Sequence, residues 1–192
     1  MNFDPLKPTR SPGSSRSQSQ IGLLGEAFVA EWLQTQGWAV LHQRWHCRWG
    51  EIDLIAQQPA TPSQQLGQRS PSATLVFVEV KTRSGHNWDA DGLLAITPQK
   101  QAKLWQTAEL FLSSYPEFAE SPCRFDVALV AFQPASKARS PSEDFGVEQI
   151  QAARLAMNHV MKQSQAAIAQ GQTIAIGGYK LSLKDYIQAV FT

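Results

Sequence analysis

Hydrophobic and polar positions form short runs along this chain, and the clearest run covers residues 74–83, TLVFVEVKTR. Its apolar side chains divide between the two faces of an extended strand, with Val76, Val78 and Val80 on one face and Leu75 and Phe77 on the other. A strand that is apolar on both faces is typical of a central, covered position in a sheet. The pattern therefore predicts that this strand is the centre of the fold.

Two charged residues end this strand. Glu79 and Lys81 continue the row of Phe77 and share its face. Burying a charge is unfavourable unless the group is paired, bound to a metal or open to a cleft. We therefore predict an active site at this strand end. The simplest alternative is a buried ion pair without a catalytic role, for which Glu79→Gln would reduce stability and leave activity unchanged.

The remaining periodicity predicts an α/β fold. Helical spacing predicts a helix over residues 21–36 that Gly37 ends, and a second helix that begins at Pro98 with Thr97 as its N-cap. Strands are predicted over residues 38–43, 51–56, 74–83 and 124–132. The order helix, three strands, helix, strand predicts a central mixed β-sheet of about four strands flanked by helices.

Polar segments define the domain organisation. Residues 1–20 are predicted to be a disordered N-terminal tail, and residues 21–192 a single domain. Within the domain, residues 57–73 are predicted to be a flexible hairpin loop, residues 84–95 a surface loop and residues 133–146 a flexible loop. Residues 147–192 are predicted to be a helical C-terminal extension: a helix over 147–170, a hairpin turning at Gly177 and Gly178, and a short terminal helix that Ser182 would cap.

Residues 51–56, EIDLIA, supply further carboxylates. Alternation places Ile52 and Leu54 on one face of this strand and Glu51 and Asp53 on the other. If the strand pairs antiparallel with residues 74–83, its beginning lies beside the end of the other strand. We therefore expect Asp53 to lie near Glu79 and Lys81.

A third acid comes from the first predicted helix. Glu26 lies beside the apolar stripe and next to Gly25, where a missing side chain lets a backbone or a ligand approach closely. An exposed helical glutamate is the simpler alternative. Both interpretations remain open from the sequence.

The candidate acids and the lysine indicate a chemistry. Asp53 and Glu79 would bind Mg²⁺ or Mn²⁺, with the Val80 carbonyl and waters completing an oxygen shell. Such an ion would neutralise a phosphodiester and lower the pKa of a bound water, which Lys81 would orient or polarise. The pattern therefore predicts phosphodiester hydrolysis.

Composition narrows the possible environments and partners. A hydrophobic content of 43% supports a real core, and we find no apolar run near the ~20 residues that span a bilayer, so we expect a soluble, cytoplasmic protein without membrane contact. The two cysteines do not suggest a disulfide framework. The net charge of +1 means that nucleic-acid binding would depend on a local basic patch.

Five basic residues are candidate phosphate contacts: Arg44, Arg48, Arg83, Lys100 and Lys103. Arg44 and Arg48 belong to residues 44–50, RWHCRWG, which would either hold a phosphate and stack on a base or form a hairpin whose tryptophans cover the core. Lys100 and Lys103 lie in the first turns of the second helix, where they oppose the helix dipole, so a nearby anionic partner is expected. A solvated helix face is the alternative.

Four sequence blocks and Lys100 resemble the YraN family, a largely uncharacterised bacterial group. The blocks are GLLGEA at 22–27, GEIDLI at 50–55, VFVEVKTR at 76–83 and RFDV at 124–127. The family is assigned to the PD-(D/E)XK restriction-endonuclease-like fold and is similar to archaeal Holliday-junction resolvases. The resemblance implies that Asp53 is the acid of the nuclease motif and Glu79 the second metal ligand. It likewise implies that Lys81 is the motif lysine and Glu26 a first-helix addition to the metal site.

The leading hypothesis is a metal-dependent endonuclease that acts on DNA, with branched and single-stranded DNA as candidate substrates. A homodimer is a candidate state, because enzymes of the fold that the resemblance implies often pair to cut two strands. The alternative is a non-catalytic nucleic-acid-binding or adaptor protein that retains the fold. That alternative predicts salt-sensitive binding that survives Asp53→Ala.

Overall fold

The computed structural model describes residues 12–60, 73–84, 97–135, 172–176 and 178–191, together with Leu155 and His159. Its helices are α1 (Pro12–Thr35), α2 (Pro98–Ser114) and a 3-10 helix (Pro116–Phe118). Its strands are β1 (Ala39–Cys47), β2 (Gly50–Gln58), β3 (Thr74–Ser84), β4 (Cys123–Pro134), β5 (Ile174–Ile176) and β6 (Tyr179–Phe191). The predicted order of helix, three strands, helix and strand is confirmed by α1 through β4.

The strands form one mixed sheet in the order β1-β2-β3-β4-β6-β5. β3 and β4 are parallel, and α2 lies between them in sequence, whereas the other neighbouring strands are antiparallel. β3 is thus an inner strand, as its apolar faces predict. The sheet has six strands in the described part of the chain and not the expected four or so.

Two hydrophobic clusters cover the two faces of the sheet. On one face α1 packs through Phe28, Val29 and Leu33 against the three valines of β3. On the other face α2 packs through Leu104, Ala108 and Phe111 against Leu75 and Phe77. The helices therefore lie on opposite sides of the sheet, and successive residues of β3 face different clusters.

The predicted terminal helix after Ser182 is wrong, because residues 179–191 form β6. This strand pairs antiparallel with β4, from Tyr179 opposite Pro134 to Phe191 opposite Phe125. Pairing satisfies the backbone groups of β4 along an edge that would otherwise be open, which outweighs a local preference for helix. The expected hairpin is confirmed, since β5 pairs with β6 and Gly178 adopts a positive φ of 81° at the turn.

The first helix begins at Pro12 and not at Ile21. Residues 12–20 of the predicted disordered tail are thus helical, and residues 1–11 lie outside the described ranges. The end of the helix matches the prediction. Gly37 has a φ of 79°, and its N–H donates to the Gln34 carbonyl at 3.0 Å.

Most of the predicted loops lie outside the described residues. Residues 57–58 belong to β2 and residues 133–134 to β4, so both loops begin later than expected. Of the helix predicted over 147–170, only Leu155 and His159 are described, and both have helical backbone. Within the described ranges, neither helix has the combination of length and apolar character that crossing a bilayer requires.

Candidate active site

The candidate site forms where β2 and β3 separate. The two strands pair from Gln58 opposite Thr74 to Leu54 opposite Val78, and the same register continued would place Ile52 opposite Val80. Instead, the Val80 N–H donates to Asp53 Oδ2 at 2.7 Å. The Asp53 carboxylate therefore takes the place of a ladder carbonyl at this fork, and this hydrogen bond fixes it beside the charged end of β3.

The fork also changes which way β2 faces. Ile52 packs in the cluster on the α2 side, whereas Leu54 packs in the cluster on the α1 side. The prediction that these two residues share a face is wrong, because the strand leaves the regular ladder at the residue between them. Asp53 consequently lies at a bend and not within a flat strand.

Glu79 is the centre of the charged cluster. It is 7% exposed, and its Oε1 accepts hydrogen bonds from the ammonium groups of Lys81 and Lys100. Lys81 lies two residues along β3, and Lys100 reaches across from α2. The anionic partner that the sequence predicts for Lys100 is therefore a carboxylate of the protein itself.

The start of α2 places Lys100 at this position. Thr97 is the N-cap, and its hydroxyl oxygen accepts a hydrogen bond from the Lys100 N–H at 3.3 Å, with Pro98 following as the first helical residue. Both features confirm the sequence prediction. The buried face of the helix, formed by Leu104, Thr107, Ala108 and Phe111, then holds the first turn against the sheet.

Glu26 approaches the same cluster from α1. Its side chain is 17% exposed, and its Oε2 lies 3.6 Å from Arg44 Nε. Arg44 also binds Glu51, with 2.6 Å between Nε and Oε1. Arg44 adopts a φ of 53°, which is unusual for a residue with a side chain. Glu26 is thus a partly buried acid of the site and not a fully exposed helical glutamate.

The acids raise one another's pKa. Burial and the charge of Glu79 raise the pKa of Asp53 to about 7. Burial and the charge of Asp53 raise the pKa of Glu26 to about 7. The carboxylates lie close enough together that ionising one of them makes it less favourable to ionise the next.

The two lysines respond to this environment in opposite directions. Burial lowers the pKa of Lys81, although the adjacent Glu79 charge acts against that effect. Burial acts to lower the pKa of Lys100 as well, but the hydrogen bond between Lys100 and Glu79 outweighs burial and raises this pKa. Lys81 is consequently the lysine of this pair that can more readily exchange a proton.

An open cleft of about 470 Å³ leads to the cluster. Four predicted residues line it: Asp53, Glu79, Lys100 and Lys103. Of the other predicted basic residues, Arg44 is held by Glu51, Arg48 lies over the Trp49 ring, and Arg83 lies beyond Lys81 opposite Ala131 of β4. The cleft therefore has carboxylates on the sheet side and ammonium groups on the α2 side.

Residues 44–50 contribute to both the core and the cleft. They form the β1–β2 hairpin, in which Cys47 is opposite Gly50. Trp45 packs edge-on against Phe111 with ring centroids 5.4 Å apart, whereas Trp49 lines the cleft and is 43% exposed. One tryptophan covers the core, as one sequence interpretation expects, and the other is open to a ligand.

The sequence interpretation missed Gln99 and Thr107, which also line the cleft. Thr107 is fully buried, and its hydroxyl donates to the Lys103 carbonyl at 2.7 Å. Helical spacing was the available signal, because positions 100, 103 and 107 follow one face of a helix.

The donor chemistry suits a hard divalent ion, although the ligands do not form a closed side-chain cage. Among the described residues, no three Asp, Glu, His or Cys side chains are grouped as a metal site. Burial first, and then the charge of Glu79, raise the pKa of Asp53, so a bound cation would favour its ionised form. An ion would be held by Asp53 and Glu79 with the Val80 carbonyl and water, and Glu26 is the further acid close by.

The fold and the site together define an α/β protein with a buried acid–lysine cluster at a strand fork. Comparison with known sequences shows that the chain belongs to the family described as "Uncharacterised protein family UPF0102", whose model matches residues 25–130. The matched region contains every candidate site residue, and the membership confirms the resemblance drawn from the sequence blocks.

Relatives from cyanobacteria match nearly the whole chain. A UPF0102 protein of Acaryochloris marina is 46% identical over 183 residues, which cover 94% of this chain and 95% of the relative. One of Trichodesmium erythraeum is 44% identical over 170 residues, covering 88% and 87%. One of Synechocystis is 41% identical over 173 residues, covering 90% and 98%.

Proposed function

We propose that this protein is a metal-dependent nuclease with a restriction-endonuclease-like fold that hydrolyses DNA phosphodiester bonds in the cleft beside Asp53. One observation carries the proposal: Asp53 is fixed at the strand fork, it lines an open cleft together with Glu79, and Glu79 binds the ammonium group of Lys81. An ion pair with a purely structural role needs neither the second carboxylate nor the opening.

The residues divide the chemistry between them. Asp53 and Glu79 would hold Mg²⁺ or Mn²⁺, which when bound would neutralise the phosphate and acidify a water. Lys81 would hold the attacking water and stabilise the charge that develops on the phosphate. Burial lowers the pKa of Lys81, which makes its ammonium group a better proton donor than an ordinary lysine.

The α2 side of the cleft supports an anionic substrate. Lys103 is exposed and lines the cleft together with Lys100. Two ammonium groups along one helix face would contact successive phosphates, which fits a polyanion better than a small neutral substrate. Branched and single-stranded DNA are the candidate substrates, and a homodimer would present two such clefts to two strands.

A cleavage assay tests the proposal. Wild type is incubated with linear, nicked, single-stranded and four-way DNA in Mg²⁺, in Mn²⁺ and in a chelator. We expect cleavage that needs the metal and that Asp53→Asn and Lys81→Met each reduce at least ~100-fold. Lys184→Met is the matched control, because Lys184 is exposed on β6. The proposal fails if wild type cuts none of these substrates, or if the two site variants cut as well as the control.

Calorimetry tests the metal site separately. Mg²⁺ or Mn²⁺ is titrated into wild type and into Asp53→Ala. Heat of binding that is present in wild type and absent in the variant would support the assignment of Asp53 as a ligand. Equal binding by both proteins would contradict it.

A non-catalytic nucleic-acid-binding protein is the second candidate, and the pairing of Glu79 favours it. Glu79 already accepts hydrogen bonds from two ammonium groups, which compete with a metal for its oxygens. This candidate predicts salt-sensitive DNA binding that survives both chelation and Asp53→Ala. Loss of binding under either condition would count against it.

A further inference from the structure

We propose that Trp49, with Arg48 over its ring, is a stacking subsite for an unpaired nucleobase at the edge of the Asp53 cleft. The proposal rests on the proposed function, because it names the substrate class of the same cleft. It selects single-stranded nucleic acid, or a strand splayed from a duplex, over continuous double-stranded DNA.

Trp49 lies at the wall of the cleft. Single exposed apolar side chains are common on proteins and need no explanation by themselves. Trp49, however, lines the same cleft as Asp53, Glu79, Lys100 and Lys103. An indole that is 43% exposed at the wall of a charged cleft offers an apolar surface where a polyanion would lie.

The turn between β1 and β2 keeps this ring out of the core. Trp45 already occupies the space against Phe111, so the α2-side cluster is filled by a different indole of the same hairpin. The Trp49 N–H donates to Cys47 Sγ at 3.4 Å across the turn. This backbone hydrogen bond fixes the main chain of the turn, so that little backbone order would have to be gained on binding.

Arg48 adds charge to the ring. Its guanidinium carbon lies 4.9 Å from the centroid of the Trp49 ring, within cation–π distance. A base that stacks on this pair gains dispersion contacts, and its phosphate gains a nearby cation. Aromatic stacking combined with a basic groove is how proteins bind single strands without reading sequence.

The start of α2 forms another wall of the cleft. Lys100 and Lys103 lie one turn apart on α2 and would contact backbone phosphates, while the base turns toward Trp49. In a continuous duplex the faces of each base are covered by its neighbours, so Trp49 would have nothing to stack on. An unpaired base has a free face.

Binding to base-containing and abasic strands tests the subsite. Fluorescence anisotropy measures the Kd of a labelled oligothymidine and of an abasic strand with the same number of phosphates, in Ca²⁺ and in a chelator. We expect Trp49→Ala to weaken oligothymidine binding roughly 5- to 100-fold and to leave abasic binding nearly unchanged. Trp49→Phe should retain most of the affinity, since it keeps an aromatic face.

Lys103→Ala is the matched control. It removes a phosphate contact and should weaken both strands by the same factor. An oligouridine run in parallel shows whether the subsite takes RNA as well as DNA, and a duplex of the same length should show little effect of Trp49→Ala. Circular dichroism confirms that each variant is folded.

Several results would overturn the subsite. They are an equal loss for the normal and abasic strands on Trp49→Ala, no loss for either, or no binding by wild type in both solutions. The assay does not depend on cleavage, so it separates the two proposals. A base-dependent effect of Trp49 without metal-dependent cleavage would support the subsite and reject the nuclease, and cleavage without such an effect would do the reverse.

Discussion

Gly25 of α1 lies against Thr82 of β3 so closely that a Cβ atom on the glycine would be 1.9 Å from Thr82 Oγ1. No side chain fits at that distance, so only glycine allows the helix to pack there. The Thr82 hydroxyl oxygen is buried and has no hydrogen-bond partner in the described part of the structure. Because Glu26 follows Gly25 directly, this contact sets the distance of the Glu26 carboxyl from the sheet.

Gly25→Ala should therefore push α1 away from β3. We expect a loss of about 1–3 kcal/mol in the free energy of unfolding, measured by urea denaturation, because overpacking a close contact forces the backbone to shift. We also expect the pKa of Glu26, now about 7, to move toward 4.5 as the side chain becomes better solvated. Carbon-13 NMR of the labelled carboxyl measures that change.

A matched control and a rescue distinguish this mechanism from a general effect of alanine. Gly22 lies on the same helix, and a Cβ atom there would meet no neighbouring atom of the described residues within 4 Å, so Gly22→Ala should be neutral or slightly stabilising. Adding Thr82→Ala to Gly25→Ala removes the hydroxyl and leaves the nearest atom at 3.1 Å, which should restore most of the lost stability. No rescue would argue against the contact.

The raised pKa of Asp53 predicts a pH-dependent stability. Its carboxyl titrates near 3.8 in the unfolded chain and at about 7 in the folded protein, so between these values the folded state binds a proton that the unfolded state lacks. Stability should therefore fall as pH rises from about 4 to about 7. Asp53→Asn cannot titrate and can still accept the Val80 hydrogen bond.

The measurement is the difference in unfolding free energy between Asp53→Asn and wild type in metal-free buffer. This difference should increase in favour of the variant by up to about 4 kcal/mol across the window, because the two pKa values differ by about 3 and each unit corresponds to about 1.4 kcal/mol. Added Mg²⁺ should flatten the wild-type curve, because a bound cation keeps the carboxylate ionised. A difference that stays constant with pH would contradict the assigned pKa.

Lys100 should control the protonation of Lys81. Burial is the largest cause of the lowered pKa of Lys81, and the hydrogen bond and charge of Lys100 lower it further. Lys100→Met should therefore raise the pKa of Lys81, followed by NMR of a labelled Lys81 side chain. Lys103→Met, an exposed lysine one turn further along α2, should leave it unchanged. An unchanged Lys81 pKa on Lys100→Met would show that burial alone decides, and a fall would contradict the effect assigned to Lys100.

A second buried carboxylate should hold β6 in place. Asp126 is 1% exposed and accepts hydrogen bonds from the Tyr186 hydroxyl at 2.9 Å and the Ala189 N–H at 3.0 Å, besides its ion pair with Arg124. Tyr186→Phe should destabilise the protein by about 1–2 kcal/mol. Asp126→Ala should destabilise it by about 3–5 kcal/mol, because the Arg124 charge loses its partner.

Thermal and urea unfolding check these values. Lys184→Ala, exposed on the same strand, should change stability by less than about 0.5 kcal/mol. If Tyr186→Phe behaves like this control, the hydrogen bond to Asp126 does not hold the strand.

The central strand was predictable and the last strand was not, for related reasons. β3 is apolar on both faces and pairs with β4 without a register shift from Leu75 to Ser84, so it stands out in the sequence as one continuous apolar run. β6 carries register shifts opposite residues 125–127 and 129–130 of β4, and Ala189 has a φ of 50°. Each irregularity resets the alternation, so Tyr186, Ile187, Val190 and Phe191 look helical in sequence although they lie on a strand.

The candidate site was likewise only partly predictable from the sequence. Strand pairing alone places Asp53 near Glu79, and that proximity followed from the sequence. The fork that turns Ile52 and Leu54 to opposite clusters did not, because it depends on the Val80 N–H being taken by a side chain. The pairing of Lys100 with Glu79 crosses 21 residues and two elements, and no local pattern encodes it.

The site residues are attached to both faces of the sheet, and this arrangement determines which of them a local unfolding event would remove. Glu79, Lys81 and Lys100 lie on the face that the aromatic cluster around Phe111 covers, whereas Glu26 arrives with α1 on the other face. Local unfolding of α1 would therefore remove Glu26 from the site and leave Glu79, Lys81 and Lys100 in place. The acids of the site thus belong to two parts of the fold, and the cleft is lined by the part that holds Asp53 and Glu79.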